Sequence, residues 1–213
     1  LGIGPIVSGI TTFLGNGVGW LVDNSLLPLA SSLIEPAKIL FMNNALNFGV
    51  LAPLGVVDAE ATGQSIMFML ETNPGPGLGL LVAFWLAGPK LLRGSAPGAI
   101  VIQFLGGIHE IYFPYVLLTP QVVLGVIVGG MVGVTTFMIT GVGLVSTPSP
   151  GSIFAYMAVT PAGNHLGVLL GIVLSAAASF VVTWFILKLS KVDSTEAEFE
   201  AAQDRSKEMK AGK

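Results

Sequence analysis

The chain has 213 residues, of which 9 are Lys or Arg and 12 are Asp or Glu, so only 10% carry a charge. A soluble globular domain carries about 25%. Twelve of the charges lie in the last 26 residues, and residues 111–187 contain none. Such a body cannot form a soluble surface, and its hydrophobic content of 53% excludes a disordered chain. The composition therefore predicts an integral membrane protein with a polar C-terminal tail.

The chain contains no cysteine, which excludes a disulfide, a thiolate metal site and a cysteine nucleophile within it. The net charge is −3 and there is no basic patch, so nucleic acid is not an expected partner. Neither a cofactor nor a metal ion is expected. The sequence begins at Leu1 without a signal-peptide pattern, which favours a start inside a longer protein.

The first two apolar segments contain residues that interrupt helices. Residues 1–22 are uncharged, but three glycines lie between residues 15 and 19. Residues 41–57 include Pro53 and Gly55. Because proline and glycine destabilise helix interiors, the sequence predicts a broken helix in each segment.

The next two apolar segments are divided more clearly. Residues 66–86 contain the sequence Asn-Pro-Gly-Pro-Gly at residues 73–77, and residues 97–118 contain Gly106 and Gly107. Each piece is shorter than the roughly 20 residues that a spanning helix needs. Irregular backbone at membrane depth must be buried in protein or line a watery cavity, as in the discontinuous helices of transporters. Ordinary loops between helices are the alternative.

The last two apolar segments are long and unbroken. Residues 122–145 and 166–187 are each long enough to span a bilayer as a helix. Three glycines at four-residue spacing in the first of them predict close helix packing: Gly125, Gly129 and Gly133. The second ends in an aromatic and basic pattern that is typical of a cytoplasmic interface: Trp184, Lys188 and Lys191.

The basic residues also predict a topology. If Lys188 is cytoplasmic, Lys90 and Arg93 should be cytoplasmic too. If residues 146–164 also stay outside, residues 94–121 begin and end on the cytoplasmic side. That stretch is too short to cross twice, so we expect it to enter the membrane and return.

The tail is different in kind. Residues 192–213 are polar, and Thr195 and Glu198 have the spacing of a capping box. The tail is too small for a domain, so the sequence predicts a short charged helix or a solvated linker.

Charged residues within membrane segments are candidates for function because their burial is costly. Glu110 follows the glycine pair in an apolar stretch, and Glu71 directly precedes the second helix break. His109 is a candidate for function because it lies beside Glu110. A buried structural hydrogen bond is the alternative role for each side chain.

Other polar residues have simpler interpretations. Glu35 and Lys38 are one helical turn apart and predict a structural ion pair. We expect Asp58 and Glu60 to lie in a solvated turn, and His165 to begin the last apolar helix.

Three amide side chains crowd one short segment, at Asn43, Asn44 and Asn47. Asn44 and Asn47 are three residues apart and would share one face of a helix. Amides suit a neutral polyhydroxyl ligand, although they could equally satisfy backbone groups at a helix break. Without a neighbouring Arg or Lys, the candidate groups favour a cation, a proton or a polyol over an anion.

Several motifs together carry a resemblance to a known family. Residues 106–115 read Gly-Gly-Ile-His-Glu-Ile-Tyr-Phe-Pro-Tyr. They resemble the GGIHE signature of the membrane (C) component, EIIC, of the mannitol-specific phosphotransferase system (PTS) enzyme II. Further blocks agree in order and spacing, at residues 35–41, 43–47, 73–77, 143–146 and 149–152.

The resemblance implies an all-α membrane fold with broken helices and re-entrant hairpins, assembled as a homodimer in the bacterial inner membrane. It divides the chain into residues 1–22, the remnant of the scaffold helices; residues 23–191, a transport domain with two re-entrant hairpins; and residues 192–213, a cytoplasmic linker toward a B domain. It also implies N-terminal truncation relative to the family.

The resemblance further implies an activity. Such a protein carries D-mannitol across the membrane and yields mannitol 1-phosphate. The phosphoryl group comes from a phosphocysteine on the B domain (EIIB), which EIIA and the carrier HPr supply. The chain without cysteine could not phosphorylate by itself.

Carried over by position, Glu110 and His109 fall on the family's binding and catalytic signature. Glu71 and Asn47 fall on its other binding positions, and Asn44 lies beside Asn47. Phe48 replaces the family's usual His, which puts strict mannitol specificity in question. Two alternatives stay open: an ion-coupled secondary transporter that uses Glu110 and His109 as a proton relay, and a structural subunit.

Overall fold

The structure is a computed structural model that describes residues 4–24, 26–190 and 196–211. The described residues form helices joined by turns, with one isolated antiparallel bridge between Ser65 and Leu144 and no strand. The α-helices are α1 Gly4–Asp23, α2 Ser31–Ile39, α3 Asn43–Leu46, α4 Ala52–Thr62, α5 Met67–Leu70, α6 Gly75–Ala87, α7 Lys90–Ile100, α8 Phe113–Leu118, α9 Val123–Thr140, α10 Ile153–Ala158, α11 His165–Leu189 and α12 Glu196–Lys210. Short 3₁₀-helices (Leu27–Ala30, His109–Tyr112, Pro120–Val122) and π-helices (Asn47–Leu51, Val101–Leu105) connect some of them.

Helices α9 and α11 form the centre of the bundle and run antiparallel. The predicted glycine stripe of α9 faces α11: a Cβ at Gly129 would lie 2.7 Å from Ser179 Cβ, and one at Gly133 would lie 3.0 Å from Ser175 Cβ. Ser175 Oγ also donates to the Gly129 carbonyl at 2.8 Å. Small residues on both helices therefore bring the two backbones into contact, as the sequence predicts.

Helix α6 packs beside α11 and runs in the same direction. A Cβ at Gly75 would lie 2.6 Å from the Ile172 carbonyl oxygen. Ser179 Oγ donates to the Pro76 carbonyl at 2.7 Å. Because Gly75 meets the middle of α11, α6 covers only the half of it that ends near Lys188. We call the two ends of the bundle the Lys188 end and the His165 end.

The surface of α11 is that of a membrane helix. Its buried face carries small and hydroxyl residues, including Ser175, Ser179 and Thr183, whereas its exposed face carries large apolar ones, such as Leu166 and Phe185. This arrangement inverts the pattern of a soluble protein. Two helical stretches in the described part of the chain are long and apolar enough to cross a membrane, Pro120–Thr140 and His165–Leu189.

The first hairpin, residues 27–62, enters from the His165 end. The start of α2 packs with Val134 of α9, and its last residue, Ile39, packs with Leu80. The chain turns at residues 40–42 and returns through α3, the π-helix and α4. It ends beside Gln64, whose Nε2 donates to the Gly141 carbonyl at 3.0 Å.

The second hairpin, residues 90–118, enters from the Lys188 end. Leu92, near its start, packs in one cluster with Leu187, and so does Val122, just beyond its end. Its turn reaches the middle of the bundle, where Gln103 Nε2 donates to the Pro74 carbonyl at 3.0 Å. This stretch therefore enters and returns, as the sequence predicts.

Residues 146–164 also turn inward, contrary to the assumption that they stay outside. Val145 N donates to the Val159 carbonyl at 3.0 Å, and Asn164 bonds to Gln64, so both ends lie at the His165 end. Between them, the segment reaches His109 at the centre through Gly151. We call residues 148–151 the central loop. Because this segment begins and ends at the His165 end of the bundle, its inward turn does not change the end from which the second hairpin is expected to enter.

Two predicted helix breaks are wrong. Residues 4–23 form one continuous helix, because its glycines provide room for neighbours: a Cβ at Gly15 would lie 2.9 Å from Val50 Cγ2. Pro53 lies at the start of α4, directly after the π-helix Asn47–Leu51, and the helical path continues through it. Gly55 provides room for the Phe68 ring, 2.6 Å from a Cβ there.

Two further predictions concern the acidic residues of α4 and the C-terminal tail. Asp58 and Glu60 lie within α4 and not in a turn. The predicted helical tail is observed as α12, which packs against α8. Of the predicted capping box, Thr195 lies outside the described residues.

Candidate functional site

A polar cavity of about 150 Å³ lies where the turns of the two hairpins, the break between α5 and α6, and the central loop meet. Its level is the middle of the bundle, because Asn73, at the break, donates to Ser175 Oγ of α11 at 3.2 Å. The lining residues are Asn43, Asn44, Asn47, Phe48, Glu71, Thr72, Gly107, His109, Glu110, Pro148, Ser149, Pro150 and Gly151. All five predicted site residues, Asn44, Asn47, Glu71, His109 and Glu110, therefore line one cavity.

Glu71 and Thr72 enter the cavity because the helix breaks at their position. The break spans residues 71–74, and Gly75–Gly77 form the first turn of α6. Asn73 Oδ1 accepts from Gly75 N at 2.9 Å and stabilises the start of that helix. Thr72 Oγ1 donates to the Phe68 carbonyl at 2.5 Å. The buried Glu71 side chain lies at the wall of the cavity.

His109 and Glu110 come from the turn of the second hairpin. Gly107 has a φ of +77°, and a Cβ there would lie 2.5 Å from Ser152 N, so only glycine fits. Two residues later, His109 is buried and its Nε2 lies 3.1 Å from the Gly151 carbonyl oxygen. Glu110 is half-buried at the wall.

The first α-helix after Glu110 begins at Phe113. Residues His109–Tyr112 form a 3₁₀-helix, and α8, Phe113–Leu118, has only six residues.

The amide side chains line the opposite wall. Asn43 and Asn47 are buried, whereas Asn44 is exposed, and all three face the cavity from the turn of the first hairpin. Asn47 Oδ1 is buried without a hydrogen-bond partner among the described residues. A buried acceptor without a partner is costly, and Asn47 places one directly behind the cavity wall. The Phe48 side chain is 57% exposed at the same wall.

The predicted ion pair lies behind the cavity. Lys38 Nζ lies 3.3 Å from Glu35 Oε2, and both side chains are fully buried. Tyr112 OH donates to Glu35 Oε2 at 3.5 Å and connects the pair with the second hairpin. Phe41 and Phe113 add an edge-to-face ring contact between the hairpins, with centroids 5.0 Å apart.

Sequence reasoning missed Thr72 and the central loop as parts of the site. The signal for the loop was present, since Pro148, Ser149, Pro150 and Gly151 form a turn-rich segment inside an uncharged region. Nothing in the local pattern indicated that this loop reaches the level of His109.

The cavity offers hydrogen bonds and no strong positive charge at its wall. Carboxylate and amide oxygens accept, amide nitrogens donate, and one imidazole can do either. Such a set suits the many hydroxyls of a polyol. Among the described residues, no three His, Asp or Glu side chains are arranged to hold a metal ion.

Comparison with known proteins gives consistent relatives. The chain is 54% identical, over 212 residues, to the PTS system mannitol-specific EIICB component of Geobacillus stearothermophilus. It is 52% identical, over 211 residues, to the PTS system mannitol-specific EIICBA component of Escherichia coli strain K12. With the EIICB component of Bacillus subtilis strain 168 it shares 49% identity over 211 residues. No family model and no solved structure matches.

These alignments cover nearly all of this chain but only part of each relative. They include 100% of the chain and 45% of the Geobacillus protein, and 99% of the chain and 33% of the Escherichia protein. The aligned region includes the hairpins, the break and the central loop, which together build the cavity. Along nearly its whole length, the chain therefore matches the EIIC portion of mannitol-specific PTS components.

Proposed function

We propose that the protein transports D-mannitol across the bacterial cell membrane and that this transport is coupled to phosphorylation, with mannitol 1-phosphate as the product. The observation that carries the proposal is the central polar cavity, where Glu71, Glu110, His109 and Asn47 converge. Carboxylates accept hydrogen bonds from hydroxyls, and an amide such as that of Asn47 can both donate and accept. The names of the relatives support mannitol as the ligand.

The two hairpins enter from opposite ends of the bundle, and their turns meet at the cavity. This arrangement suits a transport cycle of alternating access. In the proposed cycle, Glu110, Glu71, Asn47 and Asn44 hold the polyol, and a movement of the hairpins opens the cavity to the cytoplasm. Each hairpin turn then forms part of the wall of the binding cavity and also separates the cavity from one side of the membrane.

The chemical step needs a second domain. The chain has no cysteine. We propose that a hydroxyl oxygen of bound mannitol attacks the phosphorus of a phosphocysteine on EIIB, which EIIA and HPr recharge. The O–P bond forms, the S–P bond breaks and the thiolate leaves. The hydroxyl proton passes to Glu110, or to His109 Nδ1, as the general base.

The proposed arrangement in the cell follows from the charges. Lys188 at one end of α11, with Lys90 at the entry of the second hairpin, favours the cytoplasmic side for the Lys188 end. The protein would then span the membrane several times, with residues 192–213 as a cytoplasmic linker, residues 23–191 as the transport domain and residues 1–22 as part of the scaffold of a homodimer.

The test uses membrane vesicles with the full-length protein, labelled D-mannitol and the soluble phosphocarriers. We expect mannitol 1-phosphate to form, and to form equally well after an ionophore collapses the ion gradients. Vesicles without the phosphocarriers are the control. Accumulation of unmodified mannitol that depends on an ion gradient would instead support a secondary transporter that uses Glu110 and His109.

A further inference from the structure

The helix break beside the cavity leaves backbone carbonyls that need hydrogen-bond partners. Helix α5, Met67–Leu70, has only four residues, and the last four carbonyls of a helix have no partner within it. A buried carbonyl without a hydrogen bond is costly, above all at membrane depth, where lipid offers no donor. The geometry of the break therefore depends on donors from outside α5.

Two side-chain hydroxyls supply such donors. Thr72 Oγ1 donates to the Phe68 carbonyl at 2.5 Å, and Tyr156 OH donates to the Met69 carbonyl at 3.2 Å. The two hydroxyl oxygens are themselves 3.2 Å apart. Thr72 belongs to the break, whereas Tyr156 lies 84 residues further along the chain. Direct contacts thus tie the break to a distant segment.

Tyr156 has a fixed position in the bundle. Its side chain is fully buried and packs in one cluster with Phe68 and Met69. Its helix, α10, begins just after the central loop, where Ser152 Oγ accepts from Ala155 N at 3.1 Å and caps the helix. A buried tyrosine hydroxyl usually has a hydrogen-bond partner, and here both partners belong to the element that carries Glu71.

The contacts of Tyr156 lie on both sides of Glu71 along the chain. Met69 is two residues before Glu71, and Thr72 directly follows it. Glu71 and Thr72 line the cavity, whereas Tyr156 is not among the lining residues. A change in backbone direction at the break would therefore turn the Glu71 carboxylate relative to a ligand, and the Tyr156 hydroxyl opposes such a change.

We propose that Tyr156 is a positioning residue for the polyol site: its hydroxyl fixes the helix break through Met69 and Thr72, so that Glu71 faces the cavity in the orientation that accepts from a hydroxyl of the polyol. Tyr156 itself touches no ligand. The inference rests on the proposed function and deepens it, because it gives residues 146–164 a part in recognition beyond the central loop. A tyrosine that only packs the core would stabilise the bundle without changing the affinity of the folded protein.

Tyr156→Phe removes the hydroxyl and keeps the ring in its cluster. The experiment measures binding of labelled D-mannitol to the full-length protein in membrane vesicles, per amount of folded protein, which size-exclusion chromatography in detergent quantifies. We expect binding to weaken by at least about fivefold. Tyr115→Phe is the matched control and should bind normally. It removes a buried hydroxyl that lies 2.8 Å from Ser95 Oγ, and neither residue lines the central cavity.

Double variants separate positioning from packing. Glu71→Ala removes the side chain that is positioned, so the addition of Tyr156→Phe should then weaken binding by less than about twofold. Asn47→Ala changes the opposite wall, so in that background Tyr156→Phe should retain its full effect. Each variant is titrated with mannitol to saturation, because the Glu71→Ala proteins are expected to bind weakly.

Several results would overturn the inference. They are normal affinity of the folded Tyr156→Phe protein, an equal loss in Tyr115→Phe, an undiminished effect of Tyr156→Phe in the Glu71→Ala background, and a Tyr156→Phe protein that does not fold. If the unsubstituted protein did not bind mannitol, the proposed function itself would fail.

Discussion

His109 Nε2 lies 3.1 Å from the carbonyl oxygen of Gly151, and this contact joins the turn of the second hairpin to the central loop. A carbonyl only accepts, so Nε2 carries the hydrogen, and Nδ1 of the neutral ring remains an acceptor. Segments that enter from opposite ends of the bundle thus meet at one imidazole. His109 fixes the loop and also presents a free nitrogen as a candidate for the proton of a substrate hydroxyl.

His109→Ala should therefore weaken mannitol binding by about 10-fold or more, since the Gly151 carbonyl loses its partner and the cavity loses an acceptor. Binding of labelled mannitol to membranes measures this. The control is His165→Ala, an exposed residue at the start of α11, which should bind normally. Equal behaviour of the two variants would refute the role of His109.

Gly107→Ala should disrupt the site while leaving the bundle in place. The added Cβ would meet backbone atoms of Ser152 and Gly151 within 2.9 Å, and the φ of +77° is unfavourable for alanine. We expect loss of mannitol binding with normal membrane insertion. Gly98→Ala in α7, where a Cβ would have nothing within 4 Å, is the control and should bind normally. A Gly107→Ala protein with unchanged affinity would contradict the tight contact.

Gly129→Ala should destabilise the central pair α9 and α11. Its Cβ would lie 2.7 Å from Ser179 Cβ and 2.8 Å from the Ser175 carbonyl oxygen, so the helices must separate. We expect a loss of about 1–3 kcal/mol in stability, seen as a lower melting temperature of the full-length protein in detergent. Gly94→Ala, which meets nothing within 4 Å, should melt like the unsubstituted protein. A melting temperature unaffected by Gly129→Ala would exclude this packing.

Phe48→His tests the position where the resemblance leads us to expect a histidine. Phe48 is 57% exposed at the cavity wall, so an imidazole there could reach a ligand hydroxyl without a gap in the core. One added hydrogen bond of about 1 kcal/mol corresponds to roughly fivefold tighter mannitol binding. Titration with labelled mannitol measures the change. Unchanged affinity would show that an imidazole at this position does not reach the ligand, and weaker affinity would show that Phe48 itself contributes to recognition.

The sequence predicted the features that depend on local backbone chemistry. The break before Gly75 and the turn at Gly107 follow from prolines and glycines that a helix interior does not tolerate. The stripe that includes Gly129 follows from spacing alone. These features already place Glu71 and Glu110 beside irregular backbone at membrane depth, which is most of the candidate site.

The wrong predictions concern glycines and prolines whose role depends on distant partners. Gly15 and Gly55 leave room for Val50 and Phe68, and Pro53 benefits from the π-helix before it. A single sequence contains no information on such contacts. For the same reason, the approach of the central loop to His109 could not be predicted, because it depends on contacts 42 residues apart in the chain.

The most direct test of the central claim is mannitol binding by Glu110→Gln in membranes with the full-length protein. The substitution retains the shape of the side chain and removes its charge, and charge-assisted hydrogen bonds to hydroxyls are the stronger ones. We predict that binding weakens by about 10- to 100-fold, while Glu60→Gln on the exposed side of α4 binds normally. Near-normal binding by Glu110→Gln would contradict the assignment of the central cavity as the mannitol site.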